Sequence, residues 1–324
     1  MKSISIACLM LVGALGHASY DLMMIPDADG AVQRFDPISG ASLGSFARGA
    51  AATAVDYNST SGNTYVMSDP GRLYTYNHST GIRTFASFTL ATMDILATES
   101  TSTYGWTYAT GQTYLTRYNL TGGRVDATLP AGVVSISRIM RTSLSSKMLA
   151  IGTNTGGDMI GFTFNPTSNS ISGETVTTLI PASGLLAGQV FGQPVRFDGD
   201  SYTLMYRSNT SELKRMNVIM NASGALTAPS SNSVSSSLQL PAGVLPNLLP
   251  AHDGYYALLP TIGDSTLLSV AEFDNTARYM GTINTSIKIR TGTWNASIIL
   301  APEPATYAVM TVGLFAVCRR RRSR

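Results

Sequence analysis

Between residues 19 and 300 the chain is a succession of short runs rich in Val, Ile, Tyr, Thr and Phe, each bounded by turn residues. That is the pattern of half-buried β-strands. The runs come in pairs: LMMIP (22–26) with AVQRF (31–35), TYVMS with RLYTY, YGWTYAT with TYLTRY, MLAIGT with MIGFTF, YTLMYRS with LKRMNVIM, and YYALLPT with LLSVAEF. Each pair ends in an aromatic residue, an Asp or Asn, and a turn. Phe35-Asp36 precedes PISG, Tyr76-Asn77 HSTG, Tyr118-Asn119 LTGG, Phe164-Asn165 PTSNSISG and Phe273-Asp274 NTAR, which lacks the glycine. Met220-Asn221 before ASG keeps the Asx and has lost the aromatic. Successive Asx positions lie 41, 42, 46, 56 and 53 residues apart. Self-similarity at such a period signals a repeat architecture in which each unit is one small sheet.

A further strand precedes each pair from the second unit on, as in TAVDY (53–57) and ISRIM (136–140). A fourth follows each Asx turn, as in RTFASF (83–88) and GETVTTL (173–179). Four strands in each of six units, spread over residues 19–300, give 47 residues per unit, the size of a propeller blade. The expected fold is all-β: a six-bladed β-propeller with room for a seventh blade, flanked by a signal peptide and a short C-terminal transmembrane-like helix. Only Ser19-Tyr20-Asp21 precede the first run, so WNASIIL (294–300) is expected to supply the missing inner strand and close the ring. Closure removes a free edge that would otherwise invite association. NPTSNSISG and APSSNSVSSS (228–237) read as flexible loops without apolar anchors. The unit TAVDYNSTSGNTYVMSDPGRLYTYN (53–77) resembles the NHL and gluconolactonase-like secreted propellers. The lactonase resemblance would imply a metal held by Glu, Asn and Asp. The four glutamates of this region, Glu99, Glu174, Glu212 and Glu272, stand in no matching context.

The two ends read as addresses. Residues 1–18, MKSISIACLMLVGALGHA, carry one Lys, an apolar stretch and small residues at the exit, which is the signal-peptide pattern. Cleavage is expected between Ala18 and Ser19. At the other end, residues 301–324 run from Pro302-Glu303-Pro304 through an apolar segment (305–318) to an arginine tail (319–324). Fourteen residues span about 21 Å as a helix at ~1.5 Å per residue, against a bilayer core of about 30 Å. The prolines make an extended spacer, and the arginines would stay cytoplasmic. This ordered triple, Pro302, Glu303, Pro304 and Ala305 with Arg319, Arg320, Arg321 and Arg322, resembles the PEP-CTERM sorting signal of Gram-negative bacteria that make extracellular polysaccharide. The resemblance implies an exosortase as partner and transient membrane lodging through the C-terminal segment. Exopolysaccharide or matrix proteins follow as further partners, and the cell surface or biofilm matrix as destination, reached from an inner-membrane intermediate.

Composition narrows the chemistry. Only 13% of the residues are charged, and the net charge of +3 belongs to the ends. Residues 19–300 hold 16 Lys and Arg against 18 Asp and Glu, so no electrostatic footprint for nucleic acid is expected there. Cys8 and Cys318 both lie in the end segments, which excludes disulfides, Cys-zinc sites and Cys nucleophiles from the body. Outside the leader the histidines are His78 and His252, 174 residues apart with no H-x-x-x-H pairing, so nothing in the sequence supports a histidine metal cluster or a Ser-His-Asp triad. Repeat equivalence places the turns between each unit's second and third strands on one side. They carry Asp27 and Asp29, Asp69, Gln112, Asn154 and Asp158, Asn209, and Asp264. Such a ring can line a channel mouth and hold Ca²⁺ or a sugar hydroxyl; equally, Asp and Asn simply satisfy tight turns. Two functional expectations follow. One is an exported, non-enzymatic propeller of the surface or matrix, with no catalytic residue, metal or cofactor. The other is a secreted hydrolase or lyase with a central divalent metal.

Overall fold

In the computed structural model, the described residues are 21–47, 51–59, 61–68, 72–77, 83–87, 95–98, 104–119, 123–144, 146–187, 195–198, 201–233, 246–276, 278–290 and 296–300. Six four-stranded antiparallel sheets form six blades, so the ring has six and not seven. Blade 1 orders β24 (Ser297–Ile299), β1 (Leu22–Pro26), β2 (Val32–Phe35) and β3 (Ser42–Phe46). Blade 2 is β4 (Ala52–Asn58), β5 (Asn63–Ser68), β6 (Arg72–Asn77) and β7 (Arg83–Ser87). Blade 3 is β8 (Ile95–Thr98), β9 (Tyr104–Tyr108), β10 (Tyr114–Asn119) and β11 (Arg124–Thr128). Blade 4 is β12 (Val133–Arg141), β13 (Met148–Asn154), β14 (Met159–Phe164) and β15 (Thr177–Ile180). Blade 5 is β16 (Val195–Asp198), β17 (Ser201–Arg207), β18 (Leu213–Met220) and β19 (Leu226–Ser233). Blade 6 is β20 (Asn247–Ala251), β21 (Gly254–Thr261), β22 (Asp264–Asp274) and β23 (Tyr279–Lys288).

The closing strand comes from the C-terminal side, as the first unit's missing strand required. Leu22 faces Ile299, Met23 faces Ile298 and Met24 faces Ser297. Trp294, at the start of the expected closing run, lies outside the described residues, as do both ends, 1–20 and 301–324. Because strands alternate in direction, the turns joining strands one to two and three to four share one face of the ring. The two-to-three turns and the links between blades share the other. The chain joins and leaves the ring side by side on the first of these faces, where β1 begins and β24 ends.

Apolar packing lies between blades. Trp106, Tyr108 and Leu115 of blade 3 meet Ile139, Ala150, Phe162 and Phe164 of blade 4, all buried. Met23, Ile25 and Phe35 of blade 1 meet Leu249, Tyr256, Leu258 and Val270 of blade 6. The aromatic-Asx repeat has a physical basis in this arrangement. Phe35, Tyr118, Phe164 and Phe273 are buried, and Met220 fills the equivalent place where the aromatic is lost. The Asx side chain then ties its own turn: Asp36 accepts from the Ile38 amide at 2.9 Å, Asn165 from the Thr167 amide at 2.9 Å, and Asn221 from the Ser223 amide at 3.0 Å.

Three local expectations are corrected. GETVTTL is strand only from Thr177, and β12 starts earlier than ISRIM, at Val133. APSSNSVSSS is no loop in its first half, because residues 226–233 form β19. The NPTSNSISG segment has an anchor after all: Ile171 is fully buried in the blade 3–blade 4 cluster. The segment is also gripped from blade 3, where Trp106 Nε1 donates to the Pro166 carbonyl at 3.2 Å and Arg117 Nη2 to Asn169 Oδ1 at 2.7 Å. An apolar residue of one blade's turn inserts beside the next blade, which a local count of Ser and Asn does not reveal.

Candidate functional site

In the described two-to-three turns the polar side chains bond within their own turn or to an adjoining segment. Asp27 is buried, with Oδ1 accepting from the Ala31 amide at 2.8 Å and Oδ2 from Gln33 Nε2 at 2.6 Å. Asp158 accepts from the Ala182 amide and from Asn154 Nδ2. Asp264 takes the Thr266 amide and hydroxyl, and Asn209 donates to the Ser183 carbonyl. Asp29 and Gln112 project from their turns at exposed and half-buried positions, while Asp69 lies outside the described residues. Among the described residues no group of three His, Cys, Asp or Glu is arranged to hold a metal.

Bonds of this kind hold three turn carboxylates, Asp158, Asp264 and Asp274, below the ordinary value. The Ala182 amide and then Asn154 lower Asp158, the Thr266 hydroxyl and amide lower Asp264, and Thr276 and Arg278 lower Asp274. A depressed folded pKa contributes stability that is present above about pH 4 and lost as pH falls through the folded value. Thermal denaturation is therefore expected to show a falling Tm from about pH 4 downward. Asp158→Asn should flatten part of that fall while lowering Tm at neutral pH. A fall of unchanged steepness in the variant would remove Asp158 from this role.

On the same face, blade 1's turn is stitched to its neighbours. The Ala28 amide donates to the Lys288 carbonyl at 3.1 Å and the Ala52 amide to the Gly30 carbonyl at 2.8 Å. Gly30 sits at φ +76°, and a Cβ there would stand 2.6 Å from Ala51 Cα, so this close approach needs glycine. A shallow open cleft of about 310 Å³ is lined here by Ala28, Thr266, Lys288, Ile289 and Arg290.

At the opposite end of the channel the inner strands bring charged groups together. Asp56 of β4 accepts from the Thr98 amide at 2.8 Å and hydroxyl at 2.6 Å, on the last residue of β8. Arg141, the last residue of β12, donates from Nη2 to the Tyr57 carbonyl at 2.7 Å and stands 3.6 Å from Asp56 Oδ1. Blades 2 and 4 are not neighbours, so this contact passes inside blade 3. Ser297 of the closing strand adds its Oγ, which accepts from the Tyr57 amide at 2.9 Å. Arg138, also on β12, is only 1% exposed. Burial pushes its guanidinium down to about 9, while the charge of Asp56 works in the other direction. The Tyr118 hydroxyl is raised well above its usual value, first by burial and then by Asp56.

Local structure sets these positions. β12 carries two bulges, between Val133 and Ser135 and between Ile136 and Arg138. Gly152 faces them: a Cβ there would stand 2.0 Å from the Ser135 carbonyl oxygen. The missing side chain admits the bulge, and the bulge sets the facing of everything after it on β12, including Arg138 and Arg141. Sequence reasoning passed over this cluster, although TAVDY and ISRIM already showed a charge inside an inner-strand run.

No protein-family model matches the chain, and no curated protein matches it. Solved structures do. A chain of a nidogen/laminin complex aligns at TM-score 0.59 and 10% identity, over 87% of this chain and all of that one. TolB from Acinetobacter baumannii aligns at TM-score 0.59 and 12% identity, over 88% of this chain and 67% of that one. A gluconolactonase from Xanthomonas campestris aligns at TM-score 0.54 and 11% identity, over 86% and 90%. At such identities the likeness establishes the β-propeller fold and nothing of activity.

Proposed function

We propose that this chain is an exported propeller of the cell surface or extracellular matrix that binds rather than catalyses, delivered through its C-terminal PEP segment by an exosortase. The single observation behind the non-catalytic part is that the turn carboxylates accept hydrogen bonds from nearby protein groups, as Asp27 does from the Ala31 amide and the Gln33 side chain. The delivery part rests on the sequence of the two ends. The ring geometry is compatible with it, since the chain enters and leaves the ring side by side. A tether after residue 300 would then hold one face of the ring toward the membrane and turn the two-to-three face outward. The lactonase-like alternative gains no metal constellation from the described residues.

Replacing Glu303 by Ala and following the mature protein's size and location tests delivery. An unprocessed, membrane-retained form is expected. Unchanged processing and release would end the sorting reading.

A further inference from the structure

The cleft on the two-to-three face has a wall made of fixed backbone. Beyond β23 the chain runs on through Ile289 and Arg290 beside blade 1, where Asp27 and Ile289 form an antiparallel bridge. The Lys288 carbonyl accepts from the Ala28 amide at 3.1 Å, and the Ile289 amide donates to the Thr266 carbonyl at 2.8 Å. Side chains of an extended chain alternate between its two sides. Ile287 and Ile289 are buried in the blade 1–blade 6 cluster, so Lys288 and Arg290 turn to the other side, where both line the cleft. Their Cα atoms lie two residues apart, about 6.6 Å in extended chain, so the two long side chains can close on one group between them. Lys288 is exposed, with Asp264 within electrostatic reach to temper it. The half-buried Arg290 donates from Nη1 to the neutral Ala52 carbonyl at 3.2 Å. That bond uses one donor of a guanidinium fork.

We propose that this cleft is a subsite for the carboxylates of an acidic glycan chain, held between the Lys288 ammonium and the Arg290 guanidinium. Arg290 supplies the planar fork that matches a carboxylate, and Lys288 a mobile point charge beside it. The cleft is shallow and open, about 310 Å³, so it admits one acidic unit of a passing chain rather than enclosing a small molecule. Its wall is fixed before the ligand arrives, which lowers the ordering cost of binding. The choice of a glycan rests on the matrix role proposed above, in which this face is the one turned outward from the tether. The cation pair rests on the geometry of residues 288–290. A failure of glycan binding leaves the Glu303→Ala result untouched, and the reverse holds as well.

The test is calorimetric titration of the whole purified protein with a galacturonate tetramer at low ionic strength. Maltotetraose is the neutral control and tetraglutamate the acidic peptide. Saturable binding of one galacturonate tetramer per chain is expected, with none of maltotetraose. Tetraglutamate should bind at least about fivefold more weakly, because its freer backbone and side chains cost more to order. Lys288→Gln should weaken galacturonate binding about fivefold, and Lys288→Arg should keep it within about twofold of the parent. Lys288 is exposed, so both variants should melt with the parent. Arg290→Gln should weaken binding about tenfold; if its loss of the Ala52 bond prevents folding, Lys288→Gln decides. Absence of saturable galacturonate binding, equal binding of maltotetraose, or a Lys288→Gln protein that binds as tightly as the parent would each overturn the proposal. Tetraglutamate bound as tightly as galacturonate would overturn the assignment of a glycan.

Discussion

A chain ending at Ala296 is expected to melt about 8–16 °C below one ending at Leu300, because it lacks the strand that closes the ring. The lost strand is short, but its removal acts at three places. Ile298 and Ile299 leave half-buried positions, worth about 1 kcal/mol each. The ladder to β1 goes, with its Leu22, Met23 and Met24 pairs, at about 1 kcal/mol per hydrogen bond. The Tyr57 amide also loses Ser297 Oγ, its link from blade 2 to blade 1. Together these come to roughly 4 kcal/mol, and for a domain of this size about 1 kcal/mol moves Tm by ~2–4 °C. An uncovered β1 should also promote self-association, visible by light scattering at the same protein concentration. Equal melting of the two chains would show that the ring does not depend on this strand.

The second large effect is expected at Trp106. Its ring is fully buried, meets Phe164 edge-on at 4.9 Å, and donates Nε1 to the Pro166 carbonyl across the blade 3–blade 4 boundary. Trp106→Ala removes the largest buried side chain of that cluster and the shorter of the two hydrogen bonds to the Pro166 carbonyl, which keeps Arg117 Nη1 at 3.4 Å. A loss of about 3–5 kcal/mol is expected in urea denaturation. Trp106→Phe keeps an aromatic ring beside Phe164 and should lose about 1–2 kcal/mol, chiefly the hydrogen bond and part of the packing. Equal losses for the two variants would mean that the Pro166 contact, rather than the ring, carries the stability. Losses below 1 kcal/mol in both would mean that this boundary is not a principal support of the ring.

The blades were legible because each repeat solves the same local problem. Phe35, Phe164 and Phe273 are buried by their own blade pattern, and Asp36, Asn165 and Asn221 close turns with their own side chains. Both signals lie within a few residues of each other, so they survive in the sequence. Closure was legible for a different reason: a first unit short of one strand leaves only one source for it. The two-to-three turns were legible as a set, but the partners of their carboxylates were not. Asp27, Asp158 and Asp264 looked like a converging ring, yet each finds its partners within its own turn or the adjoining segment. The contact between Arg141 and Tyr57 joins residues 84 apart in sequence and two blades apart in the ring. It depends on the bulges opposite Gly152, which leave no local mark. The anchoring of Ile171 beside blade 3 is hidden in the same way, since its neighbours come from another repeat.

In the proposed function the turn carboxylates serve the fold, and the ring binds its ligand without a resident metal. The measurement that bears on it most directly is the Ca²⁺ content and Ca²⁺ titration of the whole purified protein, compared with Asp27→Asn and Asp264→Asn. No stoichiometric Ca²⁺ is expected in any of the three, and the two variants should differ from the parent in stability alone. One equivalent of bound Ca²⁺ in the parent, lost in either variant, would contradict the account and return the ring of turns to the role of a metal site.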